Sequence, residues 1–176
     1  DLFYKNNHTR RFGIPTNCTL YDKMKESISR LLILCPEATF SINVSLDGLE
    51  EKHNEIRRYP NAFNKSVKNL NILNNDFKDY KNLSFSITST LMKENIKDVS
   101  GLEKFISNKF KGEVGVSWNY IRDVKKTFNE LLPSLEDLNK ITLKNYIPLK
   151  KLNLFNNLFK RANNELRFQN IEKNKQ

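Results

Sequence analysis

The stretch that decides the fold is "SINVSLDGLEEKHNEIRRYPNAF", Ser41 to Phe63. Ile42, Val44 and Leu46 alternate with Ser41, Asn43 and Ser45, the period of two that marks a strand with one buried face. Asp47-Gly48 then breaks the run as turn residues do, whatever the function. A charged loop follows, with Glu50, Glu51 and Glu55, which read as a solvated helix start, ahead of the paired Arg57 and Arg58. A strand that ends this way is either ordinary turn chemistry or the rim of a ligand site.

The same reading extends in both directions. "RFGIPTN" (Arg11–Asn17) predicts a short apolar strand, and "YDKMKESISRLLILC" places Met24, Ile28, Leu31, Leu32 and Cys35 at helical spacing before Pro36 stops it. "ATFSINVSL" is the second strand. "NAFNKSVKNLNILNN" is a helix with Phe63, Val67, Leu70 and Leu73 on one face, and "NLSFSITSTL" is the third strand. "SGLEKFISNKF" reads as a helix with a capping box of Ser100 and Glu103, and "EVGVSWNYI" as the fourth strand. The opening "DLFYKNN" reads as the last turns of a helix already under way, so the chain is expected to begin within a domain.

Regular alternation of helix and strand predicts an α/β fold with a parallel sheet and crossover helices, wound either as an open doubly wound sheet or as part of a (β/α) barrel. Both place ligands at the C-terminal strand ends. The spots to watch are Thr16-Asn17, Ser45 to Gly48, Thr88 to Thr90, and Asn119 to Arg122. After Arg122 the pattern turns helical. Ser134 is a predicted N-cap, and Leu152, Phe155, Phe159, Ala162 and Leu166 recur as a packing stripe after Pro148. The expected division is a β/α part over 1–132 and a helical C-terminal extension over 133–176.

The 176 residues, 38% hydrophobic and 28% charged, suit one globular domain with a core of its own. No apolar run is long enough for a membrane helix, no signal-peptide core opens the chain, and a cytoplasmic location is expected. Cys18 and Cys35 have no metal-binding spacing and read as small core residues of a reducing compartment. The net charge of +10 is uneven. From Thr142 to Gln176 eight Lys/Arg stand against two Glu, a balance that suits nucleic acid or another polyanion, although no nucleic-acid motif accompanies it.

No GxSxG, HExxH, P-loop or GxGxxG occurs. His53 has the chemistry of a base but reads as a surface histidine in a loop. What remains is a set of strand-end groups. Thr16, Asn17 and Ser45 are neutral hydrogen-bonding residues, and Arg57 and Arg58 can clamp a carboxylate with paired N–H donors.

These residues carry a resemblance. "IPTNCTL" is similar to the T-N-G-T-L string of radical S-adenosylmethionine (radical SAM) enzymes. "NVSLDGLEEKHNEIRRYPNAFNKSVKNL" resembles their S-[IL]-D-G-x2-E-x-H-D-x-I-R-G-x2-G-A-F segment. "FSITSTLMKENIKDV" and "VSWNYIRD" resemble their fifth and sixth units, so the likeness covers about Leu2 to Asp123. It implies a partial (β/α) barrel with strands 3 to 6 of the family pattern, and a radical-based oxidoreductase or modifying enzyme acting on a peptide, RNA or small molecule. It also implies the cofactors: SAM, and a 4Fe-4S cluster whose CxxxCxxC loop precedes this region. Ser45 would bond the SAM ribose, Arg57 would approach its methionyl carboxylate, Thr16 and Asn17 would face SAM or substrate, and the backbone around Tyr120 and Ile121 would flank the adenine. No residue is assigned as catalytic or as a metal ligand.

The chain departs from the pattern in stated ways. Two cysteines cannot supply three thiolates, and the Gly-Gly-Glu-Pro strand end that receives the SAM amino group is absent. Cys18, Arg58 and Asn61 stand where the family has glycine. This chain alone is therefore expected not to generate a radical, either as the C-terminal part of such an enzyme or as a degenerate relative. The competing readings are a non-catalytic α/β binding module with a basic helical region, and a cluster-free relative that still binds SAM.

Overall fold

The computed structural model describes residues 2–120 and, beyond them, Pro133, Ser134 and Asp137. The chain divides into units over 1–138 and 139–176, and every described residue belongs to the first. The described elements are α1 (Leu2–Asn6), β1 (Arg11–Thr16), α2 (Tyr21–Leu34), β2 (Thr39–Ser45), α3 (Glu50–Arg57), α4 (Ala62–Asp76), β3 (Leu83–Leu91), α5 (Val99–Phe110) and β4 (Gly115–Tyr120), with one 3₁₀ turn, Ile96–Asp98, ahead of α5.

The four strands pair in parallel in the order β1-β2-β3-β4. Each new strand adds to the same side of the last. With right-handed crossovers, this puts every connecting helix on one face. A doubly wound sheet reverses direction partway, and these four strands do not.

Strand registers assign the faces. Phe40, Ile42 and Val44 of β2 align with Leu83, Phe85 and Ile87 of β3, and Ile87 aligns with Val116 of β4. These side chains form one core with Ile28 and Leu32 of α2, Phe63, Val67, Leu70 and Leu73 of α4, and Leu102, Ile106 and Phe110 of α5. Burying such side chains contributes about 1.5–3 kcal/mol apiece relative to exposure, which fixes the register, since a one-residue slip would turn every one of them outward.

Three local expectations are corrected. The charged loop after Asp47-Gly48 contains the helix α3, an eight-residue piece whose one buried residue is His53. Its acidic first turn and Arg57 in its last turn complement the helix dipole, and Lys52 Nζ meets Glu55 Oε2 at 2.6 Å. Ser100 and Glu103 form no capping box. The 3₁₀ turn moves the α5 start to Val99 with Asp98 ahead of it, and the Glu103 carboxylate accepts from Trp118 Nε1 at 2.8 Å instead. Asp47 is buried and does more than turn the chain, as described below. The expected cap at Ser134 is present: its Oγ accepts the Asp137 N–H at 3.0 Å. The stripe from Leu152 to Leu166 lies outside the described residues. Among the described residues, no helix is long and apolar enough to cross a membrane.

Candidate functional site

The sheet has a second face, on which no described helix packs. Side chains there come from alternate residues, and register stacks them into rows across the sheet. Gly13, Ser41 and Ser84 make one row, and Pro15, Asn43, Ser86 and Gly115 the next. Ser45 and Thr88 align with Ser117, and Thr90 with Asn119, at the C-terminal end. A parallel sheet covered on both faces reads as continuous apolar runs. Apart from Arg11, which pairs with Thr39 at the N-terminal end, this one keeps its outer positions small or polar, and none of them is buried.

The hydroxyls and amide of this face are cross-linked. Asn43 Oδ1 accepts from Ser41 Oγ at 3.1 Å and from Ser86 Oγ at 2.7 Å. Thr88 Oγ1 and Ser117 Oγ are 3.0 Å apart, and Ser117 Oγ also donates to the Ile87 carbonyl at 3.2 Å. Ser45 Oγ has no partner among the described residues. It stands at the strand end, on the open face, with its hydroxyl available.

Above the strand ends Asp47 organises a clasp. Its carboxylate accepts the Thr90 N–H at 3.0 Å and pairs with Arg57 Nη2 at 2.6 Å. Its carbonyl accepts from Asn95 Nδ2 at 2.7 Å, and its own N–H donates to His53 Nδ1 at 3.1 Å. Asn95 also donates to the Thr90 carbonyl and accepts the Met92 N–H. Gly48 belongs to this corner: a Cβ there would lie 3.0 Å from Lys52 and Asp98 side-chain atoms. The clasp joins β2, α3 and the end of β3.

His53 is therefore buried, not a surface residue, because α3 folds its ring inward against Phe63. Burial first, and then the Arg57 charge, push its pKa down from 6.5 to about 4, against a smaller opposing pull from Asp47. Neutral His53 is an acceptor for the backbone here. Arg57 keeps part of its guanidinium at the surface while one nitrogen holds Asp47, so its remaining donors stay available.

The β1 end is built differently. Thr16 aligns with Val44 and so faces the helices. Its Oγ1 accepts the Cys18 N–H at 3.0 Å and donates to Met24 Sδ at 3.4 Å. Asn17 Oδ1 accepts from the Thr19 N–H and hydroxyl, and its carbonyl accepts from Ser66 Oγ at 2.6 Å. This is the turn chemistry that tucks Cys18 into the core. Arg58, beside Arg57, caps α3 in a left-handed conformation. Tyr120 ends β4, paired with Leu91, and Ile121 lies outside the described residues, as does the basic segment 142–176.

Among the described residues no three His, Cys, Asp or Glu stand together as metal ligands. Cys18 and Cys35 are buried, and burial pushes the Cys18 thiol up to about 12, far from the thiolate that iron requires. These residues do not fit an iron-sulfur cluster. No family model matches the chain, and a search of curated proteins finds no match.

Sequence reasoning missed the polar rows and the clasp. Period two on β2 and β3 gave each strand's two faces, but only register says which serines meet. The clasp had a signal in the charges of α3, whose Arg57 lies ten residues beyond Asp47 with one helix between them.

Proposed function

We propose that residues 2–120 form the wall of a partial (β/α) barrel of the radical SAM type, carrying strands 3 to 6 of that pattern, and that the chain is part of a radical SAM enzyme. The observation that carries this reading is backbone conformation at the departures from the family pattern. Cys18, Arg58 and Asn61 stand where the pattern has glycine, and their φ angles are 57°, 49° and 64°. Only His8 and Lys111 join them as non-glycine residues of positive φ among those described. Left-handed backbone costs an ordinary L-residue roughly 1–2 kcal/mol and costs glycine almost nothing. The chain thus keeps, at each of the three positions, the shape for which glycine is the favoured residue.

The clasp supports the same reading. Asp47, His53 and Arg57 are matched motif positions, and all three meet in it. Asn54, at the motif's Asp position, accepts the Phe63 N–H at 2.9 Å and so caps α4. The one-sided winding and the polar open face suit a barrel whose interior holds cofactor and substrate.

In this reading Ser45, with its unengaged hydroxyl, meets the SAM ribose, and Arg57 offers its outer donors to the methionyl carboxylate while Asp47 fixes its angle. Thr16 and Asn17 hold the β1 loop, with Asn17 nearer the rim. The backbone near Tyr120 and Ile121 flanks the adenine. SAM and the 4Fe-4S cluster supply the radical chemistry, and the cluster's ligands belong to sequence outside this chain. The test is the protein expressed from its whole reading frame, reconstituted with iron and sulfide without oxygen and supplied with SAM and a reductant. Cleavage of SAM to 5′-deoxyadenosine, with Ser45→Ala raising the SAM concentration needed, supports the reading. A reconstituted, folded protein that binds no cluster and leaves SAM intact overturns it.

A further inference from the structure

We propose that the open face of the sheet binds an uncharged, hydroxyl-rich small ligand, with the Asn43 side-chain amide as its central donor. This deepens the barrel-wall reading, on which it rests for the location of the site, but it needs none of the radical chemistry.

The chain carries a net +10, yet no residue in the four rows from Ser41 to Asn119 is ionisable. A phosphate-dense ligand requires cations where it sits, and these four rows have none; the face's Arg11 pairs with Thr39 at the opposite, N-terminal end of the strands. An apolar partner fits no better, since covering the hydroxyls without giving them hydrogen bonds is unfavourable. What matches rows of hydroxyls and amides is a ligand whose own groups both donate and accept without a charge, which describes hydroxyl groups.

Asn43 gives the site a direction. Its Oδ1 accepts from two hydroxyls, Ser41 two residues back on β2 and Ser86 across on β3. That fixes the amide plane and leaves Nδ2 with two N–H donors and no acceptor among the described residues. Its neighbours along the row are Pro15 on one side and, past Ser86, Gly115, which carries no side chain, on the other. Gly13 borders it too: Nδ2 is the nearest atom to a Cβ built there, at 3.4 Å. An oriented donor beside missing side chains is a place for a ligand oxygen. Ser45 Oγ, in the next row toward the strand ends, is the second unengaged group within the same patch.

The test uses uridine, a neutral polyhydroxylated probe, and uridine 5′-monophosphate, the same probe with a charge, each titrated into the isotope-labelled chain by NMR. Uridine should shift the Asn43 side-chain amide and the backbone amides of Ser86 and Thr88, equally at low and high salt. The monophosphate should act no more strongly at those positions. Asn43→Leu should weaken uridine binding about tenfold with the melting transition intact, and Ser86→Ala, which removes one hydroxyl holding the amide, should weaken it less. Uridine that moves none of these resonances, or a monophosphate that moves them more strongly and in a salt-dependent way, overturns the proposal. Uridine binding in a protein that fails to cleave SAM would leave this inference standing and remove the family reading. SAM cleavage with no neutral ligand on the open face would do the reverse.

Discussion

Lowering the pH from 8 should weaken the fold through one residue, His53. In an unfolded chain its ring titrates near 6.5, and in the fold it is pushed down to about 4. The folded state must therefore hold it neutral, because Nδ1 accepts the Asp47 N–H at 3.1 Å and the ring is 2% exposed. A depressed pKa means that the unfolded state binds more protons throughout the window between those values, so stability is complete above 6.5 and falls as the pH drops toward 4. The full loss is about 3 kcal/mol, at 1.36 kcal/mol for each pH unit of the window. A little under half of it should be gone by pH 5.5 and most of it by pH 4.5. Charging the ring also removes an acceptor from a buried N–H and sets a cation beside Arg57, so the clasp at the end of β2 should open first. Urea denaturation at a series of pH values measures the loss. A His53→Gln variant, with an acceptor but no titration there, should start less stable and lose this part of the slope. Parallel curves for the two proteins, or a His53 ring that titrates near 6.5 by NMR, would refute the reasoning.

Other outcomes follow from the same contacts. Asp47→Ala should cost about 1–3 kcal/mol, the range for leaving the Thr90 N–H without its acceptor, since the partner Arg57 is itself partly solvated, and Asp47→Asn should cost less because it keeps that acceptor; melting curves decide. Arg58→Gly should raise stability by about 1 kcal/mol by relieving its left-handed backbone, with Asn61→Gly gaining less because asparagine tolerates that region. Cys18→Gly should instead destabilise, since the buried thiol's packing is lost along with the strain. Cys18 should resist alkylation at pH 8 in the folded chain and react on denaturation, as its raised pKa requires; mass spectrometry reads both states. Among the described residues no strand pairs with the outer side of β1, and Leu20 beside it is 58% exposed. The chain alone should therefore self-associate, and Leu20→Lys should reduce this in sedimentation.

What could be read from the sequence was whatever apolar period dictates. Ile42 and Val44 announced β2, and Val67, Leu70 and Leu73 announced α4, because burial pays for these elements directly. Only the start of α3 was legible, from its glutamates; eight residues with Ile56 as the one aliphatic side chain have no periodicity to give its extent, and its stability comes from its charged ends and from His53. The Ser100–Glu103 pattern misled because the 3₁₀ turn at Ile96–Asp98 puts the N-cap at Asp98, two residues earlier. Ser45 was singled out for its place at a strand end and is there with a free hydroxyl. Thr16 was singled out on the same grounds, but its parity along β1 turns it to the helices, a fact that depends on register with Val44. Asp47 looked like a turn residue because its four partners come from α3, the end of β3 and the loop beyond it, and only tertiary structure brings those together.

The decisive test of the radical SAM proposal is the coding sequence upstream of the Asp1 codon, read in frame. A radical SAM enzyme would carry there a β/α unit bearing CxxxCxxC, followed by a strand ending in Gly-Gly-Glu-Pro, ahead of α1. A start codon or an in-frame stop directly upstream would contradict it, leaving the polar sheet face as a binding surface without radical chemistry.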